Sequence, residues 1–213
     1  MGFTHYWRRE EEVDYNIMKK IVDDFKQLLP EINKAGIALA CGDGKGDPVI
    51  DYNDICFNGA TNCGHRNNES VVIPYPSEDA GGIADNWQED VVVGASYAGA
   101  ILEKRTCNGN CSYEPFSFPR ILQPEPWKPP RNGKYFKFCK TAFRPYDIVV
   151  TAFLVIAKHY LEDKIEVSSE AKDVHWFDGK MLCQSILGYG FQYLIDEKGE
   201  RELVVQSEKK DNE

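Results

Sequence analysis

The sequence predicts an α+β fold, with a mainly antiparallel sheet and about three packed helices in a single domain spanning 1–206. Three observations lead there. Val13, Ile17, Ile21, Phe25, Leu28 and Ile32 recur at three- and four-residue spacing, which makes 13–34 an amphipathic helix. After Pro145 the chain is apolar on nearly every face from Ile148 to Ala157, so a deeply buried helix runs over 145–161. Around these two helices lie short β-prone runs punctuated by Gly, Asn and Pro, the pattern of antiparallel strands joined by turns.

In chain order, 4–8 reads as a first strand, aromatic and β-prone. Glu10, Glu11, Glu12 and Asp14 then place negative charge at the positive end of the first helix, and Gly36 stops it. A buried-type strand at 37–41 leads into the glycine-rich stretch 42–48. That stretch lacks the lysine spacing and following Ser/Thr of a phosphate loop and precedes no helix, so it reads as a hairpin turn with 49–58 as the return strand. A polar loop (59–68), a strand (71–73), an irregular loop (77–86) and an extended segment (91–106) follow. Cys107-Asn108-Gly109-Asn110-Cys111 reads as a tight turn with 112–119 returning from it. The stretch 122–133 holds four prolines and reads as a semi-rigid exposed connection. A strand at 134–140, the buried helix, a strand at 164–168, a helix at 173–187 stopped by Gly188, and a hairpin of 191–195 with 202–205 complete the domain. The charged tail 207–213 lies outside it.

The composition is that of an ordinary globular protein: 213 residues, 42% hydrophobic and 28% charged. A net charge of −9 argues against a nucleic-acid binder, because phosphate contacts need a basic surface. No apolar run is long enough to span a membrane, and the first residues carry no signal-peptide core; both point to a cytoplasmic protein. The 7 cysteines, an odd number, then read as thiols or ligands in preference to a disulfide framework.

Two turns share the order Asn-Gly, then Cys, then a small residue, then an aromatic or imidazole: 58–65 and 108–113. With Cys107 they supply Cys63, His65, Cys107 and Cys111, a ligand set of the kind zinc takes in fours. The spacings, Cys-x-His and Cys-x3-Cys, differ from paired Cys-x2-Cys motifs. Ordinary turn thiols, and a local disulfide between Cys107 and Cys111, are the alternatives.

The second candidate is the junction 138–147. Lys140, Thr141, Arg144, Tyr146 and Asp147 sit where a strand ends and a helix begins, and cations beside free helix-start N–H groups would hold a phosphate or carboxylate. His5, Tyr6 and Trp7 add rings that could stack on a base or another planar ligand. Cys139 could act as a nucleophile only if its thiolate were favoured by Lys140, Arg144 and the helix start; a buried structural cysteine is the plainer reading.

The motifs Gly2-Phe3-Thr4-His5-Tyr6-Trp7, Phe57-Asn58-Gly59, the stretch 107–116 and Phe138-Cys139-Lys140-Thr141-Ala142-Phe143-Arg144-Pro145-Tyr146-Asp147 together resemble a family of uncharacterised proteins from fungal and some bacterial or phage genomes. The resemblance spans most of the chain and implies one intact domain, with no established activity to carry over. Family members often have histidine at the position of Tyr113, so this chain lacks one potential ligand or acid–base group there.

Three functional readings follow. The leading one is a domain, enzymatic or not, that binds a small anionic ligand such as a nucleotide beside 139–147. The others are an interaction module that docks a protein partner through its acidic surface and Pro-rich loop, and a zinc-stabilised structural domain.

Overall fold

The fold is organised by a helix that has no solvent face. In the computed structural model, which describes residues 3–71, 96–97, 100–101, 105–125, 127–196 and 199–206, helix α2 (Asp147–Leu161) is buried at every position from Asp147 to Ala157. A single sheet can cover only one flank of such a helix, and the described residues cover it from several sides. On one flank lies a five-stranded antiparallel sheet in the order β10-β1-β11-β13-β12, with β1 Thr4–Arg9, β10 Tyr135–Lys140, β11 Ile165–Ser169, β12 Tyr193–Asp196 and β13 Glu202–Val205. Helix α1 (Tyr15–Lys34) and helix α3 (Phe177–Leu187) pack on α2 and on each other.

The remaining cover is a smaller sheet built on β4 (Ile55–Gly59), which pairs with β2 (Leu39–Ala40), β3 (Val49–Ile50) and β9 (Phe116–Ser117). Phe57 from β4 and Phe116 from β9 stack at 5.0 Å between ring centres. Phe25 of α1 and Phe153 of α2 close on the same cluster, at 5.6 Å from Phe57 and 5.0 Å from Phe116 respectively. Two two-stranded ribbons complete the described strands: β5 (Asn67–Val71) with β8 (Arg105–Asn108), and β6 (Ser96–Tyr97) with β7 (Ala100–Ile101). The α+β class holds, while the single large sheet expected from the sequence is divided.

Helix α1 starts at Tyr15 because Asp14 caps it, its carboxylate accepting the N–H groups of Asn16 and Ile17 at 2.9 and 3.1 Å. Glu12 instead pairs with Arg120 at 2.6 Å. At the other end of the chain α3 is preceded by a 3₁₀ turn (Asp173–Trp176) and stopped by Gly188. Among the described residues no helix is long and apolar enough to cross a membrane.

Two expected hairpins are drawn differently. The turn at 42–48 does not join a strand to its partner. It closes on itself through Cys41 and Lys45, and β4 pairs with Leu39 and Ala40 from its far end and with Val49 and Ile50 from its near end. The reversal that makes this possible is at Asp51, whose side chain accepts the N–H groups of Asn53 and Asp54 at 2.8 and 2.9 Å. Nor does the stretch 112–119 return along Cys107. β8 pairs with β5, and after Gly109 the chain crosses to β4, where Phe116 and Ser117 find partners. The expected strand at 71–73, the loop at 77–86 and the tail fall wholly or mostly outside the described residues. So does most of 91–106.

Candidate metal centre and the buried charge network

The crossing after Gly109 brings the two echoing turns together. Cys111 donates its N–H to the carbonyl of Ala60 at 3.1 Å, and Ala60 in turn donates to Ala38 at 2.9 Å. Such close approach requires Gly59, where a side-chain carbon would lie 2.1 Å from the carbonyl oxygen of Cys111. Asn58 fixes the arrangement. It is buried, its Nδ2 lies 2.9–3.0 Å from the Gly42 carbonyl, the Ser112 hydroxyl and the Tyr113 carbonyl, and its Oδ1 accepts the N–H of Gly59 at 2.8 Å and of Tyr113 at 3.0 Å. Asn58→Ala is expected to cost about 3 kcal/mol, since it strands several buried polar groups at once. Asn58→Asp should cost a similar amount, because it points a carboxylate at three oxygens. Denaturant midpoints of the two variants test this, and a mild Asn58→Asp variant would refute it.

Clamped in this way, Cys63, His65, Cys107 and Cys111 present four donor atoms that all lie within 4.8 Å of one another. Sγ of Cys63 is 3.3 Å from Sγ of Cys107, Sγ of Cys111 is 3.2 Å from that of Cys107, and Nδ1 of His65 is 3.3 Å from Sγ of Cys111. All seven cysteines are free thiols, so the disulfide alternative for Cys107 and Cys111 is not what the structure shows. Those two residues do not oppose each other across a hairpin; they meet because the chain folds back over β4. A tetrahedral zinc with Zn–S of about 2.3 Å and Zn–N of about 2.0–2.1 Å sets its donors ~3.8 Å apart for S–S and ~3.6 Å for S–N. The three closest contacts are a few tenths of an ångström shorter than those values, and no pair of donors is farther apart than 4.8 Å.

The turns also have the local form of thiolate sites. Gly64 and Gly109 adopt positive φ, +80° and +78°, after Cys63 and Cys107. In each turn the N–H two residues on, of His65 and of Gly109, points at the leading sulfur. Burial raises the Cys63 thiol, but the His65 N–H and the neighbouring cysteines outweigh it and bring the thiol below its ordinary value. Burial pushes Cys107 and Cys111 up, so those sulfurs would be protonated until a cation takes the place of the protons.

Two residues before Cys107, on the same face of β8, Arg105 enters the interior. Its Nε and Nη2 donate to one carboxylate oxygen of Asp147 at 3.1 and 3.0 Å. Nη2 also reaches the His175 carbonyl at 2.7 Å, and Nη1 donates to Asp178. The other oxygen of Asp147 accepts from Nε2 of His5 at 2.8 Å and from the Thr141 hydroxyl. Nδ1 of His5 lies 2.9 Å from the Ser169 hydroxyl, which itself accepts the N–H of Ala171. Burial acts to raise the Asp147 carboxyl, but the charges of His5 and Arg105 and the hydrogen bonds from His5 and Thr141 outweigh it and hold it well below the carboxylate range. The order Ser169, His5, Asp147 imitates a hydrolytic triad, yet all three residues are buried and the serine oxygen is engaged by backbone.

The eight residues proposed from sequence as a ligand set therefore divide. His5, Trp7, Thr141, Tyr146 and Asp147 have side chains sealed in the interior. Tyr146 donates its hydroxyl to the Glu114 carbonyl at 2.8 Å, and Trp7 packs on Phe116 at 5.0 Å. Arg144 is partly exposed and donates to the Asn110 carbonyl at 2.7 Å, tying the junction to the turn between Cys107 and Cys111. Lys140 and Tyr6 face outward on the sheet. The free N–H groups expected at the start of α2 are engaged: Asp147, Ile148, Val149 and Val150 donate to carbonyls of Arg144, Pro145 and Tyr146. Cys139 is pushed up by burial, which outweighs the Tyr146 hydroxyl beside it, and its S–H points at the Glu114 carbonyl, so the neutral thiol is favoured.

Arg105 is the principal residue that sequence reasoning did not single out, and Asn58, quoted there within a turn and a motif, was given no role of its own. Strand alternation held the signal for Arg105, since an inward Cys107 implies an inward residue 105. Compared with family models, curated proteins and solved structures, the chain finds no match.

Proposed function

We propose that this is a zinc-binding domain, with the metal held by Cys63, His65, Cys107 and Cys111 in a structural role. The observation that carries this is the convergence of four donors within 4.8 Å, delivered by two turns 44 residues apart. Three thiolates and an imidazole are the ligands a tetrahedral zinc takes, and four protein ligands leave no open position for water or substrate. The N–H groups of His65 and Gly109 directed at sulfur support the same reading, because such bonds stabilise a thiolate but add little to a neutral thiol.

The test is elemental analysis of protein purified under reducing conditions without chelator. One zinc per chain is expected, falling to a small fraction in Cys111→Ser and unchanged in Cys183→Ser. Exchange into cobalt should produce a thiolate-to-metal charge-transfer band. A chain with neither stoichiometric metal nor that band is not a zinc domain. The outward residues of the sequence-derived ligand set, Tyr6 and Lys140, belong to a different surface.

A further inference from the structure

We propose that the outward face of β10 and β1 is a stacking platform for single-stranded nucleic acid. The helices pack on the inward face of the five-stranded sheet, where His5, Trp7 and Cys139 are buried. Period-two alternation then turns Tyr6 and Arg8 of β1, and Phe136, Phe138 and Lys140 of β10, to the other side. Tyr6 and Phe136 stack with ring centres 5.8 Å apart and planes at 22°, and Phe138 follows 6.1 Å from Phe136. Phe138 is 49% exposed on an edge strand, and Trp127, next in sequence to Lys128 in the Pro-rich connection, is 79% exposed. A face built to be merely wetted would not carry these rings, and each is large enough to stack on a base.

Cations are interleaved with them. The Arg8 guanidinium lies 4.8 Å from the Phe136 ring centre, Lys128 lies 4.4 Å from the same ring and 5.8 Å from Phe138, and Lys140 lies 6.0 Å from Tyr113. Rings in succession along a strand, flanked by positive charges that can track a phosphate backbone, are the components of sequence-tolerant single-strand binding. The overall charge of −9 told against a nucleic-acid binder when averaged over the chain. Two carboxylates border the strip, Glu170, which accepts the Tyr6 hydroxyl at 3.0 Å, and Glu166, which lies opposite Arg8 in the register of β1 with β11; β10 itself carries outward rings and Lys140 and no outward acid. Glu166 of β11 pairs with Lys134, and Glu202 lies on β13. Rings on a pleated strand face can stack on unpaired bases, whereas the bases of a duplex are already stacked on one another. The inference stands independently of metal at Cys63, His65, Cys107 and Cys111.

Fluorescence anisotropy of the intact protein tests this, using labelled single-stranded DNA and RNA of about ten nucleotides, the matching duplexes, and a mononucleotide. Saturable binding of one or both single strands is expected, with the stronger arm identifying the sugar, and at least about tenfold weaker binding of duplex and mononucleotide. Phe138→Ala is half-exposed, so it should fold normally by circular dichroism and weaken binding about tenfold. Lys128→Ala and Lys140→Ala should each reduce the salt slope by about 0.7. Phe191→Ala, an exposed ring outside the strip, should change nothing. Absence of saturable single-strand binding, equal affinity for duplex or mononucleotide, or indifference to Phe138→Ala overturns the proposal. So does capture of a protein on this face with no oligonucleotide binding.

Discussion

Treatment with a strong chelator is expected to lower the thermal midpoint by about 8–16 °C. Structural zinc in small domains contributes binding free energies of about 10–16 kcal/mol, part of which appears as folding stability. Even a site loaded to only ~1,000 times its Kd adds about 4 kcal/mol, and a domain of about 200 residues shifts by roughly 2–4 °C per kcal/mol. The loss should be local before it is global. Besides the donors, the two turns are held to each other by the Cys111 N–H on Ala60, and to the rest of the fold by Asn58 on Gly42, Ala60 on Ala38, Thr61 on Gly44 and Arg144 on Asn110. Helix α2, by contrast, is wrapped in Phe25, Phe57, Phe116 and Phe118 whatever the metal does. Hydrogen exchange after chelation should therefore release amides of 59–66 and 105–113 while those of 148–157 stay protected. The cysteine variants separate a metal effect from a packing effect. Cys183→Ser alters a fully buried thiol on α3 and should keep its response to chelator. Cys111→Ser should start at the chelated midpoint and respond no further. A wild-type protein whose midpoint is insensitive to chelator would count against a structural metal.

The Cys107–Cys111 turn and the interior charges are mechanically one unit. Cys107 and Arg105 leave the same face of a four-residue strand, so whatever holds Cys107 also fixes where the guanidinium enters. Arg144 closes the other side, bridging the start of α2 to Asn110 between the two cysteines. The junction at 138–147 is thus a structural joint between three parts: the edge strand β10, the central helix and the turn that carries Cys107 and Cys111. Its polar residues read as a binding set in the sequence because they are numerous and close. The structure uses most of them on one another.

This shows what was legible and why. The helices were, since a 3.6-residue period over 13–34 and an unbroken apolar run over 148–157 are local signals that no tertiary context overrides. The four members of the Cys/His cluster were legible as residue types, because turn chemistry around Asn-Gly and Cys is also local. What the sequence could not display is which turn meets which. The pairing of β8 with β5, and the crossing that sets Cys111 on Ala60, are long-range choices made by Gly59 having no side chain and by Asn58 bonding across 55 residues. Arg105 was hidden for a different reason. In the run Glu103-Lys104-Arg105 it looks like one more solvated charge, and only its carboxylate partners 42 and 73 residues away make burial tolerable. The division into two sheets was hidden too, because short strands carry no label for the sheet they join.

The Arg105→Met variant is expected to be destabilised by about 3–5 kcal/mol, the range for removing one partner of a buried ion pair. The side chain is of similar length and apolar, so the loss is electrostatic and not a cavity. Asp147 would keep His5 and Thr141 but lose the guanidinium that faces its second oxygen, deep in the interior. Acid titration distinguishes this from a general loss of packing. In the wild type the folded Asp147 carboxyl lies below its unfolded value of about 3.9. Its contribution is therefore fully present above about pH 4 and is lost as pH falls toward the folded pKa. The groups facing it are His5, Arg105 and Thr141, with Asp178 and the His175 carbonyl on the far side of the guanidinium. Removing Arg105 takes away one of the two charges that offset burial, so the folded pKa rises toward or past the unfolded one. The variant's stability should then fall less steeply than the wild type's between about pH 4 and 2, and the two curves should converge in acid. Denaturant midpoints measured across that range decide it. Parallel curves would mean that Arg105 stabilises the fold by packing on Phe143, 4.7 Å from its guanidinium, and not through Asp147.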